Sequence, residues 1–159
     1  MRNEPSEKIN PRAIKVWKKT TFISMLISLI LPLGLALGVY FLDWKIWIPI
    51  VALAIILVYF CLDFFVMIPI RYRRYRYEVN ENEIYIQSGI IFITRTVIPM
   101  VRVQHVDTEQ GPFLRKEGLA TVRIATAAGG GEIPALTEED ANDLRDQISV
   151  LARVVDEDD

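Results

Sequence analysis

At 159 residues and a formal net charge of −2, the chain has room for one ordinary domain, but its charge is segregated. Residues 1–19 carry six basic and two acidic side chains, whereas residues 77–159 carry seven basic and sixteen acidic ones. A C-terminal region at −9 without a basic stripe repels polyanions and excludes nucleic acid as an expected partner. The chain has one cysteine and one histidine, and neither a Cys-x-x-Cys nor a His-Glu-x-x-His motif. It therefore lacks a disulfide framework and the ligands for zinc, and no cofactor is expected.

Residues 1–19 are polar and basic, with Pro5 and Pro11, and read as a flank lying loosely against the inner leaflet until a helix begins near Trp17. Lys15, Lys18 and Lys19 would attract anionic lipid by about 1 kcal/mol each near the surface. Such charges also suffice as plain topogenic signals.

Two apolar runs follow. Residues 20–42 contain no charge and residues 46–70 contain only Asp63. Each matches the ~20 helical residues needed to cross a hydrocarbon core of about 30 Å, so each is expected to span the membrane. Only Asp43, Trp44 and Lys45 separate them, which forces a tight hairpin. A cleaved signal peptide is the competing reading of the first run, but a signal h-region extends only about 7–15 residues. Arg71, Arg73, Arg74 and Arg76 follow the hairpin, six basic residues precede it, and the turn holds only Lys45. Lys and Arg stay on the cytoplasmic side, which predicts a multi-pass protein with both termini in the cytoplasm. Trp44 and Trp47 would then lie at the outer interface, with Trp17, Tyr72 and Tyr75 at the inner one.

Inside the hairpin, Gly34 and Gly38 form a Gly-x-x-x-Gly spacing that permits close helix approach, within the chain or in a dimer. Asp63 costs about 3 kcal/mol at the bilayer centre and calls for a helix partner, water or protonation. It lies past the run's midpoint, toward the cytoplasmic end, where that cost falls. Gly34, Gly38 and Asp63 are thus the candidate helix-association residues. Cys61, within the second run, reads as packing, since hydrocarbon keeps a thiol from ionising.

Beyond the membrane the period changes to two. Tyr75, Tyr77 and Val79 alternate with polar residues, and Asn80-Glu81-Asn82 turns into Ile84-Tyr85-Ile86, a hairpin. A strand is expected over residues 90–97, ending at Pro99, which cannot donate to a ladder. The next strand would place Val101, Val103 and His105 on one face and Arg102, Gln104 and Val106 on the other. Gly111-Pro112 breaks the pattern, residues 113–117 form a short turn, and Gly118 opens a strand over residues 119–127. The run Gly129-Gly130-Gly131 reads as a flexible hairpin turn, because it lacks the Lys-Ser/Thr and the strand-to-helix context of a P-loop. Thr137 is a good N-cap for a helix with Glu138, Glu139 and Asp140 in its first turn and an apolar stripe of Ala141, Leu144, Ile148 and Leu151. Residues 156–159 form an acidic tail. Six or seven antiparallel strands covered by that helix satisfy both periods. Residues 75–155 carry their own sheet and helix pattern and are expected to fold without the hairpin.

Three stretches now carry a resemblance: residues 68–77 (IPIRYRRYRY), residues 98–106 (IPMVRVQHV) and residues 118–121 (GLAT). With two apolar runs ahead of them, they make the chain similar to the YdbS-like family of bacterial membrane proteins with a pleckstrin-homology (PH)-like domain. The resemblance covers nearly the whole chain, and Pro99, Arg102, Gln104 and Gly118 are its motif residues. It implies a two-helix transmembrane hairpin followed by a mainly-β PH-like barrel or sandwich with a C-terminal capping helix, occupying residues 71–155. It also implies residence in a bacterial cell membrane, in a family with links to membrane complexes and antimicrobial resistance. Glu117 departs from the family pattern, where the residue before that glycine is often apolar. Phosphoinositide binding, the PH-domain function the fold suggests, needs basic residues near the first hairpin. Glu78, Glu81 and Glu83 stand there instead and disfavour it.

Three function classes follow. The first is a non-catalytic, membrane-anchored interaction or scaffold module whose partners are the bilayer and another membrane protein or a second copy, with a sheet edge as one recognition mode. The second, motivated by Asp63 and Gly34/Gly38, is an accessory subunit of a transport or export assembly. The third, an enzyme, has only His105 and Asp107 on one strand, without a nucleophile placed beside them by a recognised motif.

Overall fold

The computed structural model describes residues 4–157, with side chains described through Val154. The contacts divide the chain into a helical unit, Trp17–Pro69, and a β-rich unit built from Met1–Val16 and Ile70–Asp159.

The helical unit contains two helices long and apolar enough to cross a membrane, Arg12–Leu42 and Trp47–Arg74, whose end turns belong to the other unit. The first comprises α1 (Arg12–Ser28) and α2 (Ile30–Leu42). Their break at Leu29 follows from Pro32, which has no N–H for the Ser28 carbonyl. The Ser28 hydroxyl bonds back to the Ser24 carbonyl at 2.8 Å. Asp43 closes α2 in the left-handed conformation, φ 52°, which turns the chain at once. The return helix is α3 (Trp47–Leu62), then a π-helical turn at Asp63–Met67, then α4 (Ile68–Arg74). Apolar side chains face outward along both helices, Leu26, Ile27, Ile30, Ile50, Ile55 and Val58 among them. A soluble core helix buries such a stripe.

The β-rich unit is a sandwich of two antiparallel sheets. One has the order β1-β2-β3-β4, from β1 (Glu7–Lys8), β2 (Arg76–Val79), β3 (Glu83–Ser88) and β4 (Thr94–Pro99). The other is β5-β6-β7, from β5 (Val103–Glu109), β6 (Leu119–Thr126) and β7 (Gly129–Thr137). The core consists of Ile84, Ile86, Ile98 and Met100 from the first sheet side and Leu119, Val122, Ile124 and Ile133 from the second. A short α5 (Pro112–Lys116) precedes β6. The last helix, α6 (Glu138–Glu157), packs against β5, β6 and β7 and buries Ala141 and Ile148 completely. Thr137 caps it as its sequence requires, its hydroxyl accepting the Asp140 N–H at 3.1 Å. Strands, order and capping helix are those expected for a PH-like sandwich behind a helical hairpin.

Several local expectations are corrected. The N-terminal flank is not loose: β1 pairs Glu7 with Tyr77 and Lys8 with Arg76, and Pro5, Ile9 and Ala13 are buried. Tyr75, expected at the membrane interface, is a core residue. The strand expected from residue 90 begins only at Thr94, and residues 90–93 form a bend. Met100–Arg102 is a 3₁₀ turn, and a bulge between Val103 and His105 shifts the alternation of β5. As a result Val103, Val106 and Thr108 are half-buried while His105 lies exposed beside Asp107. The three glycines are not a flexible turn: they are paired residues of β7, opposite Thr126, Ala125 and Ile124. A Cβ at Gly131 would meet Ile86 Cδ1 at 2.7 Å and Ile98 Cδ1 at 3.1 Å, so glycine there lets the two sheets approach. Of the acidic tail, Asp158 and Asp159 lie outside the described residues.

Candidate functional site: a groove beside the N-terminal strap

The N-terminal segment is strapped onto the sandwich by its backbone. Pro134 disrupts the ladder in β7, where the register shifts and Ala135 takes φ 54°. The Ala135 carbonyl accepts the Asn10 N–H at 3.0 Å. Asn10 Oδ1 in turn accepts the Arg12 N–H at 3.0 Å, which starts α1. The Arg12 guanidinium donates to the Glu117 carbonyl at 3.4 Å. Arg76 lies 3.8 Å from Glu4.

Between this strap, β2 and the start of α6 lies a groove of about 800 Å³. Strap residues Ser6–Pro11 form one wall, and Glu78, Asn80, Asp140 and Asp143 bring carboxylates and an amide to it. Four acidic residues, Glu7, Glu78, Asp140 and Asp143, stand against one cation, Lys8. Tyr77 forms part of the lining, and its phenol is pushed up to about 12 by burial first, then by Glu7 and Asp140, with a hydrogen bond to Glu7 adding to the effect. Tyr75 is raised further, by burial and then by Glu132, and its hydroxyl donates to the Glu132 carbonyl in β7. The groove therefore presents acceptors and fixed negative charge beside an edge strand. Chemically it suits a hydrogen-bonding or cationic segment and repels phosphate.

The residues anticipated from sequence fall into separate places. Asp63 opens the π-helical turn and accepts the Thr21 hydroxyl at 2.8 Å. Thr21 is the second residue of the first apolar run, so the bond sets Asp63 level with the polar end of that run. Gly38 lies under the Trp44 ring, 2.8 Å from where a Cβ would stand, while Gly34 faces open space. Lys18 Nζ sits 4.5 Å from the Phe64 ring centroid, a cation–π contact. Lys15, Lys19, Arg71 and Arg73 are exposed, and Arg74 donates to the Ile90 carbonyl.

Among the motif residues, Pro99 ends β4 opposite Glu83, and Gly118 (φ 67°) accepts the Glu138 N–H at 3.2 Å, joining β6 to the start of α6. Arg102 and Gln104 line a second groove of about 710 Å³ with residues 126–128. The His105 imidazole is 3.3 Å from Asp107, and Arg123 links Glu109 at 2.7 Å with Glu132 at 3.9 Å. Both contacts are exposed, and the Arg123 ion pairs carry small energetic weight. Among the described residues, no three His, Cys, Asp or Glu side chains converge to hold a metal ion.

Sequence reasoning missed Thr21, Ile9, Asn10 and Arg12. The hydroxyl had a signal, since a carboxylate in an apolar run needs a donor on a facing helix. The strap had almost none, being too short for a periodicity.

The family described as bacterial PH domain matches residues 21–152. The chain is also 47% identical over 158 residues to the UPF0699 transmembrane protein YdbS of Bacillus subtilis (strain 168), covering 99% of each. No solved structure matches. The strap precedes the family match and lies within the alignment to YdbS, given its 99% coverage.

Proposed function

The chain belongs to the bacterial PH-domain family, as a membrane protein similar to YdbS, and from that membership we propose that it is a non-catalytic interaction module. The helical hairpin anchors it as a multi-pass protein with both termini cytoplasmic. The β-rich unit binds a segment of another membrane protein at the strap-edged groove. The observation that carries this reading is the groove itself, about 800 Å³ beside the edge strand β1 and rimmed by Glu7, Glu78, Asp140 and Asp143. An edge strand offers main-chain pairing, and the carboxylates select a cationic or donor-rich partner. The same carboxylates support a protein rather than a phosphoinositide as ligand.

An accessory role in transport is the second reading, favoured by Asp63 in the hairpin. Its carboxylate is engaged by Thr21 at 2.8 Å, which supports a packing role over an ion path. Two helices would in any case need partners to enclose one.

Photo-crosslinkers at Glu78 and Asp143, with Arg123 as control, test the proposal in native membranes. A recurrent adduct from the two groove positions, lost in Asp140→Lys, is expected. Adducts equally frequent at Arg123, or none from the groove, would overturn it.

A further inference from the structure

A second surface stands apart from the groove. The bend between β3 and β4 projects Ile91, Phe92 and Ile93 into solvent at 75%, 84% and 48% exposure, in a unit that otherwise buries Ile84, Ile86 and Ile98 a few residues away. The bend has a fixed shape. Gly89 takes φ 123°, and a Cβ on it would fall 1.9 Å from the Phe92 carbonyl oxygen, so the backbone folds back over a position only glycine can hold. The Arg74 guanidinium closes the other side by donating to the Ile90 carbonyl. The apolar side chains are thus presented by a built turn.

Two observations identify what covers them. Arg74 is the last residue of the helix Trp47–Arg74, whose apolar run ends at Ile70, so the bend is held by a residue about one helical turn beyond the end of that run. No residue from Gly89 to Ile93 is charged, while Arg95 follows the bend two residues on and Arg74 contacts it through the Ile90 carbonyl. Apolar tips flanked by guanidinium groups are the composition of a segment lying in the headgroup and acyl boundary of an anionic leaflet.

We propose that Ile91, Phe92 and Ile93 insert into the lipid of the same leaflet that Arg74 meets, giving the β-rich unit a membrane contact beyond its covalent tether. The occupant is lipid, and it does not depend on what fills the groove. The insertion would fix which face of the sandwich is turned toward the bilayer.

The full chain carrying Cys61→Ala and Phe92→Cys, labelled with an environment-sensitive nitrobenzoxadiazole dye and reconstituted into phosphatidylethanolamine–phosphatidylglycerol vesicles, tests this. Ile91→Cys repeats the reading, and Ala128→Cys, exposed in the β6–β7 turn, is the aqueous control. Dye at 91 and 92 should emit at shorter wavelength than at 128. It should also be quenched severalfold more strongly by lipids spin-labelled near the headgroup. Emission and quenching equal to those at 128 would overturn the proposal. So would a blue-shifted dye that lipid quenchers do not reach, since that places the bend against protein or a second copy.

Discussion

The helical unit and the β-rich unit use the same apolar residue types in opposite ways. In the helices, Ile27, Ile30 and Ile55 are more than 60% exposed, whereas in the β-rich unit Ile84, Ile133 and Ile148 are fully buried. The difference is one of solvent: hydrocarbon takes the outward face of the first, and water drives the interior of the second. It also sets what polar groups do. In the hairpin the carboxylate within the apolar runs accepts a hydroxyl from the facing helix, and in the sandwich polar groups line a groove.

The largest expected effect comes from breaking the water-driven half at its least obvious point. Ile9 is 1% exposed although it lies outside the contiguous β-rich sequence. Ile9→Ala should cost about 2–5 kcal/mol of the sandwich's stability, measured by chemical denaturation of the purified protein. A fragment of residues 71–155 alone should melt non-cooperatively or aggregate, and linking residues 4–16 to it should restore a single transition. Equal stability with and without the strap would show that the unit ends at the membrane exit. A smaller effect is expected at the sheet contact, where Gly131→Val must displace Ile86 and Ile98 and should cost about 1–3 kcal/mol in the same measurement.

The reach of the sequence follows the same division. Long uncharged runs, the alternation through Tyr75–Val79 and Ile84–Ile86, and the Thr137 cap with its Ala141–Ile148 stripe were legible, because each repeats one physical signal over many residues. The strap was not, because β1 has only two residues and is held by pairing with the distant β2 and by the Asn10 N–H on the Ala135 carbonyl, where the β7 register shifts. The face of β5 was misread for a related reason: a bulge adds one residue and reverses a period-two argument. Of the candidate site, Glu78 was visible as a missing phosphate contact. The groove needed Glu7, Asp140 and Asp143 brought together from the strap and α6.

Titration separates the two units next. Burial raises the Tyr75 and Tyr77 phenols, Tyr77 to about 12, so the folded sandwich favours their neutral forms. That contribution is complete below the unfolded value of about 10 and is lost as pH rises through the folded values. The sandwich should therefore weaken as pH climbs above about 10, and Tyr75→Phe with Tyr77→Phe should flatten the loss. Denaturation midpoints on either side of that pH check it.

The smallest effect belongs to the lipid-facing half. Asp63→Leu and Thr21→Val should each weaken hairpin packing by about 1 kcal/mol, the scale of intramembrane hydrogen bonds, and Asp63→Asn should largely preserve it. Fluorescence energy transfer between the two helices in bilayers reads this. Abolished ion flux in both Asp63 variants would instead favour the transport reading.

The central claim, a hairpin anchoring a cytoplasmic PH-like unit, is tested most directly by single-cysteine labelling of intact cells in a Cys61→Ala background. Trp44→Cys should react with an impermeant maleimide from outside, and Asp140→Cys only after permeabilisation. Labelling of Asp140→Cys in intact cells would contradict the account.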